Sequence, residues 1–132
     1  MNKLKGLRVL LVEDNDINQL VAEGLLGEIA QVKLTMVANG QEALDTLQRQ
    51  SFEMVLTDVQ MPVMDGYETT RRIRANPAWA QLPIIAMTAH AMVRDRERCL
   101  AVGMNDYVSK PFDPNELFAV LAKWAPVSAR ST

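Results

Sequence analysis

Five short apolar runs, each followed by a turn signal and a segment with helical spacing, constrain the fold of this chain more than any other feature. The runs lie at residues 7–12, 32–37, 54–57, 83–87 and 105–108. Strands that alternate with helices in this way are typical of a parallel α/β sheet. A chain of 132 residues is about the size of one domain. We therefore predict a single α/β domain with five parallel strands.

The segments that follow these runs predict five helices. In the first helix, the apolar residues at helical spacing are Ile17, Leu20, Val21 and Leu25, and they follow capping candidates at residues 14–16. In the second helix they are Ala43, Leu44 and Leu47. The third and fourth are predicted at residues 66–75 and 91–102. The last begins after Asp113 as N-cap, with Pro114 at its first position.

Composition excludes several classes of function. The net charge of −2 gives no basic excess of the kind that nucleic-acid-binding domains carry. The single cysteine, Cys99, rules out an intrachain disulfide, and no signal-peptide pattern precedes the first apolar run. No apolar stretch approaches the roughly 18 residues that cross a bilayer. We expect a cytoplasmic domain that binds neither nucleic acid nor membrane directly.

Polar residues follow four of the five runs. Glu13 and Asp14 come after the first, Asp58 after the third, Thr88 after the fourth and Lys110 after the fifth. In open parallel sheets, ligands bind at the carboxyl ends of the strands, so we expect these side chains to form one site. The second run is followed by uncharged residues, which places its strand at the sheet edge and favours the order 2-1-3-4-5.

Three carboxylates in one site repel one another unless a cation lies among them or one of them is protonated. Magnesium prefers oxygen ligands and typically uses one or two carboxylates together with phosphate oxygens, so Asp14 and Asp58, with Glu13 nearby, predict a Mg²⁺ site. A carboxylate beside such a metal can act as nucleophile toward phosphorus. Lys110 then supplies a positive charge and Thr88 a hydroxyl for the transferred phosphoryl oxygens.

Four stretches of the sequence carry a resemblance to a known family. They are Val-Glu-Asp-Asn at 12–15, Asp-Val-Gln-Met-Pro-Val-Met-Asp-Gly at 58–66, Met-Thr-Ala at 87–89 and Lys-Pro-Phe at 110–112. With them, residues 7–124 resemble a response-regulator receiver domain of two-component systems. The resemblance implies a flavodoxin-like, doubly wound fold for a receiver domain at residues 1–124. Residues 125–132 then form a C-terminal tail or the start of a linker.

The resemblance also implies residue roles. Asp58 accepts a phosphoryl group from a histidine on a partner. Asp14 and Asp58 bind Mg²⁺ together with the backbone carbonyl of Gln60, and Glu13 assists through metal-bound water. Thr88 and Tyr107 move together on phosphorylation and change the face made by the fourth helix, fifth strand and fifth helix.

Finer features resemble receivers fused to hybrid sensor histidine kinases: Asn15 and Asn18, Met-Thr-Ala-His-Ala-Met at 87–92 and Gly-Met-Asn-Asp-Tyr at 103–107. The implied partner is a histidine kinase domain, a histidine-containing phosphotransfer domain or both, and the parent protein is then a kinase, anchored in a membrane or not. The domain itself is expected to catalyse its own phosphotransfer and to lose the phosphate slowly. A stand-alone single-domain response regulator is the alternative.

Two other functions fit the sequence less well. A phosphatase with an aspartyl nucleophile usually has a general acid two residues after the nucleophile, where this chain has Gln60. A flavodoxin-like mononucleotide binder needs a Gly-rich or hydroxylated phosphate loop after the first strand. Residues 13–16 are Glu-Asp-Asn-Asp, which would repel a phosphate.

Overall fold

The structure is a computed structural model that describes residues 6–29, 31–58, 66–88, 93–109 and 113–124. The described residues form one parallel sheet whose strands are β1 (Arg8–Val12), β2 (Lys33–Val37), β3 (Met54–Asp58), β4 (Ile84–Thr88) and β5 (Asp106–Ser109). Their order is β2-β1-β3-β4-β5. The predicted fold class and strand order are therefore confirmed.

Seven of the ten predicted strand boundaries differ from the observed ones by one residue. Four strands begin one residue later than predicted, and three continue one residue further. Asp58 and Thr88 are consequently the last residues of β3 and β4 and do not lie beyond them. The reason is backbone pairing, since Asp58 is still in register with Met87, and Thr88 with Ser109.

Within the described ranges, the five α-helices are α1 (Asp16–Ala22), α2 (Gly40–Arg49), α3 (Gly66–Arg74), α4 (Val93–Ala101) and α5 (Pro114–Trp124). A π-helical segment, Glu23–Ile29, continues α1, and a 3₁₀ turn, Pro77–Trp79, precedes β4. The predicted cap of α5 is confirmed because Asp113 Oδ1 accepts a hydrogen bond from the Asn115 N–H at 3.0 Å. No helix in these ranges has both the length and the apolar character needed to cross a membrane.

Helices cover both faces of the sheet, and each face has its own core. One core joins strand residues such as Leu11 to Leu26, just after α1, and to Leu117 of α5. The other joins residues such as Leu10 to helices α2, α3 and α4, and contains Cys99. Neighbouring residues of β1 thus point to opposite cores, as the twofold alternation of a strand requires. Cys99 is buried in this second core.

Three of the four apolar residues that predicted the first helix are exposed, and only Leu25 of them packs against a core. Ile17 and Leu20 are 71% and 70% exposed, and Val21 is 44% exposed. The helix instead turns Ala22 toward the sheet, and Leu26 one turn later is also fully buried. The result is an exposed apolar surface on α1, called the α1 patch below and consisting of Ile17, Leu20 and Val21.

A partly buried arginine joins three segments at the end of the sheet opposite the strand-end carboxylates. Arg74 donates through Nε to the Gly103 carbonyl at 2.9 Å, through Nη1 to the Trp79 carbonyl at 2.9 Å, and through Nη2 to Asn105 Oδ1 at 2.8 Å. Asn105 Oδ1 also accepts from the Ile84 N–H at 2.9 Å. Burial of the guanidinium lowers the pKa of Arg74. This group fixes the starts of β4 and β5.

Replacing Arg74 with Met should lower the free energy of unfolding by about 2–3 kcal/mol, because several partly buried acceptors lose a charged donor. Urea denaturation measures the effect. Arg71→Met on the same helix is the control, since its contact with Glu68 is a surface ion pair and should contribute much less to stability than the contacts of Arg74. Equal destabilisation by the two variants would contradict the role given to Arg74.

Candidate functional site

Three carboxylates meet at the carboxyl end of the sheet. Each of Glu13, Asp14 and Asp58 offers an oxygen atom, and the three oxygens lie within 4.8 Å of one another. Glu13 and Asp14 follow β1, and Asp58 ends β3, the strand that pairs with β1. Glu13 is 1% exposed and Asp58 8% exposed, whereas Asp14 is open to solvent. The site therefore has two buried acids and one accessible acid.

Backbone and side-chain hydrogen bonds hold the loop that carries Glu13 and Asp14. The Glu13 N–H donates to the Val37 carbonyl at 3.0 Å, and Glu13 Oε2 accepts from the Asn15 N–H at 3.2 Å. Gln19 donates through Nε2 to the Glu13 carbonyl at 2.6 Å. Asn15 is the N-cap of α1, as its Oδ1 accepts from the Asn18 N–H at 3.0 Å. The loop is thus fixed to both β2 and α1.

Sequence reasoning did not single out Gln19, because no motif or spacing rule marks a helical glutamine that reaches back to a loop. The α1 patch was missed as a surface for a different reason. Helical spacing identifies an apolar stripe but does not tell whether the stripe faces the core or solvent.

The donor set suits a hard divalent cation. All three groups offer oxygen, and two oxygens bound to one Mg²⁺ at about 2.0–2.1 Å lie at most about 4.2 Å apart. A group already within 4.8 Å needs only a small contraction, or a bridging water, to share an ion. Burial strengthens the repulsion between the acids, so a cation at this place would relieve it.

The structure places the other predicted site residues less completely. Thr88 ends β4 beside β3, which ends at Asp58, so its backbone lies at the same edge of the sheet. Tyr107 lies on β5, is half-buried and packs against the second core. Lys110 and Gln60 lie outside the described residues. The roles of these four residues stay predictions.

The sequence profile of the response regulator receiver domain family matches residues 9–122. The chain belongs to this family. As a receiver domain it is a phosphorelay module, and Mg²⁺ binding and phosphorylation of an aspartate are general features of such domains. Receiver domains work with histidine kinases or with phosphotransfer proteins. The resemblance proposed from the sequence is confirmed.

This receiver domain is similar to parts of much longer sensor kinases. It is 40% identical over 127 residues to the sensor protein GacS of Pseudomonas syringae pv. syringae, and the match covers 94% of this chain but 14% of GacS. It is also 39% identical over 125 residues to an uncharacterized 14.6 kDa protein of Leptolyngbya boryana, with 94% of each chain covered. The match to GacS confirms the predicted likeness to receivers of hybrid sensor kinases.

Solved structures show the same fold. The receiver domain of sensor histidine kinase PA1611 from Pseudomonas aeruginosa PAO1, which has a magnesium ion coordinated in its active-site cleft, is 46% identical with a TM-score of 0.82 over 90% of this chain and 97% of that one. The receiver domain of Ssk1 from Saccharomyces cerevisiae, in complex with the histidine phosphotransfer protein Ypd1, is 28% identical with a TM-score of 0.86 over 96% and 93%.

Mg²⁺ should raise the thermal unfolding midpoint of the wild type, because a ligand at 100 times its Kd adds about 2.7 kcal/mol to the stability of the state that binds it. Asp14→Asn should lose most of that rise and, without Mg²⁺, should unfold at a higher temperature than the wild type because repulsion is relieved. The control is Asp45→Asn on α2, outside the acidic group. A full Mg²⁺ effect in Asp14→Asn would contradict this site.

Proposed function

We propose that this receiver domain accepts a phosphoryl group on Asp58 in a Mg²⁺-dependent reaction. The observation that carries the proposal is the position of Asp58. Its carboxylate lies at the end of a fully buried strand, 8% exposed, with oxygens of Glu13 and Asp14 within 4.8 Å. Phosphoryl transfer chiefly requires that the nucleophile is positioned and that negative charge is neutralised. The strand end positions the Asp58 carboxylate, and a cation among the three acids would neutralise the charge.

The residues divide the work as follows. Asp14 and Asp58 would hold Mg²⁺ with the backbone carbonyl of Gln60, and Glu13 would act through metal-bound water. Bound Mg²⁺ supplies positive charge for the phosphoryl oxygens. A carboxylate oxygen of Asp58 forms a bond to phosphorus while the bond from phosphorus to the donor histidine breaks, and that electron pair stays on the imidazole nitrogen.

Lys110 and Thr88 would receive the transferred phosphoryl oxygens, through an ammonium charge and a hydroxyl. Thr88 and Tyr107 then move together and alter the face of α4, β5 and α5. Two observations support a change at this face: β5 pairs with the strand that Thr88 ends, and Tyr107 on β5 is half-buried, so part of it is accessible to solvent. Gln60, in the place of a second acid, favours a stoichiometric acceptor over a phosphatase that turns over.

The phosphodonor is proposed to be a histidine-containing phosphotransfer domain or a histidine kinase domain that packs on the α1 patch. Ile17, Leu20 and Val21 expose apolar surface on the helix that directly follows Glu13 and Asp14. A partner seated there brings a histidine close to Asp58 while covering surface that water otherwise contacts. The similarity to the Ssk1 receiver, solved with Ypd1, supports this class of partner.

The domain is proposed to derive from a hybrid sensor histidine kinase and to act in the cytoplasm, either free or as part of a membrane-anchored parent. The similarity to GacS, of which the chain spans 14%, supports that origin. The stand-alone alternative is supported by the Leptolyngbya boryana protein, of which the match covers 94%. Residues 1–124 are proposed as the receiver and 125–132 as a tail or linker start.

Incubation with Mg²⁺ and acetyl phosphate should add one phosphoryl group per chain to the wild type, observed as an intact-mass shift. Asp58→Asn should show no adduct, because an amide is a poor nucleophile toward phosphorus. Asp45→Asn, an exposed change on α2, should be phosphorylated as the wild type is. An adduct of equal yield in Asp58→Asn would refute the assignment of the acceptor.

Leu20→Gln should slow phosphotransfer from phosphorylated Ypd1, or from any phosphotransfer domain with which the wild type reacts, by about tenfold, the effect of losing about 1.4 kcal/mol of contact. Phosphorylation by acetyl phosphate should be unchanged. Leu100→Gln is the matched control, since Leu100 is an exposed leucine on α4. Loss of both reactions in Leu20→Gln would mean that the change damages the site and not the docking.

A further inference from the structure

We propose that Gln19 is a positioning residue for the metal-binding acids. Its side chain sets the orientation of the peptide group that joins Glu13 to Asp14. The inference rests on the proposed function, because it concerns the same carboxylates.

Gln19 forms a hydrogen bond with each end of the loop between β1 and α1. Its side-chain Nε2 donates to the Glu13 carbonyl at 2.6 Å, and its own backbone N–H donates to the Asn15 carbonyl at 2.9 Å. The second contact belongs to the regular pattern of the helix. The first is additional to helix formation, since Asn15 already caps α1 with its own side chain.

The acceptor explains why this contact matters for the site. The Glu13 carbonyl belongs to the planar peptide unit whose nitrogen is that of Asp14. Fixing this oxygen therefore restricts ψ of Glu13 and φ of Asp14 together. On its other side, the Glu13 N–H is bonded to Val37 at 3.0 Å. The backbone of Glu13 is thus held between β2 and α1, which limits where the Glu13 and Asp14 side chains can point.

The hydrogen bond from Gln19 to the Glu13 carbonyl opposes the electrostatic repulsion among the three carboxylates. Three carboxylates within 4.8 Å push the loop away from Asp58 in the absence of a cation. If this loop could relax, the acids would separate. Part of the free energy of Mg²⁺ binding would then be used to bring them together again. The half-buried Gln19 amide opposes this relaxation from a rigid helix, as groups that orient metal ligands do at other metal sites.

The test compares Gln19→Met with Gln41→Met. Methionine keeps the length of the side chain and removes the donor. Gln41 is the matched control because its Nε2 also bonds an acceptor, Asp45 Oδ1 at 3.2 Å, but on the exposed face of α2. Mg²⁺ affinity is measured by calorimetry well below the unfolding midpoints, where every variant is folded, and the rate of phosphorylation by acetyl phosphate is measured beside it.

Gln19→Met should bind Mg²⁺ about tenfold more weakly than the wild type and should be phosphorylated more slowly, while Gln41→Met should match the wild type. In ¹⁵N-labelled protein the amide hydrogen of Asn15, bonded to Glu13 Oε2, should exchange faster in Gln19→Met only. A lower unfolding midpoint with unchanged Mg²⁺ affinity would overturn the inference, because a purely structural residue would behave in that way.

Two further outcomes are separable. If the wild type neither binds Mg²⁺ nor becomes phosphorylated, the proposed function fails and the inference fails with it. If the wild type does both and Gln19→Met does so equally well, only the role of Gln19 is refuted. Should Gln19→Met not fold, Gln19→Asn takes its place, since it keeps a polar amide that is too short to reach the Glu13 carbonyl; the same tenfold loss is then expected, and wild-type affinity would refute the role.

Discussion

The parallel pairing of β1 with β3 forces carboxylates together. Val12 is in register with Thr57, so the residues that follow them, Glu13 and Asp58, reach the same edge of the sheet. Both acids are nearly buried, and removing charged groups from water costs several kcal/mol for each ion unless donors or a cation compensate. The two apolar cores on the faces of the sheet hold β1 and β3 side by side and so keep both acids at this edge.

The sequence predicted the sheet well because central parallel strands are buried on both faces and read as continuous apolar runs. It predicted the acidic group because strand order and strand ends together determine which residues meet. The predicted ends of β3, β4 and β5 were one residue short, since backbone pairing continues through Asp58, Thr88 and Ser109, whose polar side chains gave no sign of it.

Other features depend on contacts that local patterns do not encode. The apolar spacing of Ile17, Leu20 and Val21 predicted a helix correctly, yet the core side of that helix is marked by Ala22. The π-helical continuation Glu23–Ile29 arises from a shift in backbone hydrogen bonding, which apolar spacing does not record. The contacts of Arg74 join residues up to 31 positions apart, so only the folded chain brings them together.

Helix α1 takes part both in the proposed docking of the phosphodonor and in the proposed orientation of the metal-binding acids. One side of its second turn presents Gln19 to the loop that carries the acids, another presents Leu20 to solvent, and Ala22 faces the core. Because Gln19 and Leu20 are adjacent in α1, a partner that packed on the α1 patch, as proposed, would contact the same helical turn that bonds the Glu13 carbonyl. Docking and metal geometry would then depend on one structural element, while Arg74 joins segments at the opposite end of the sheet.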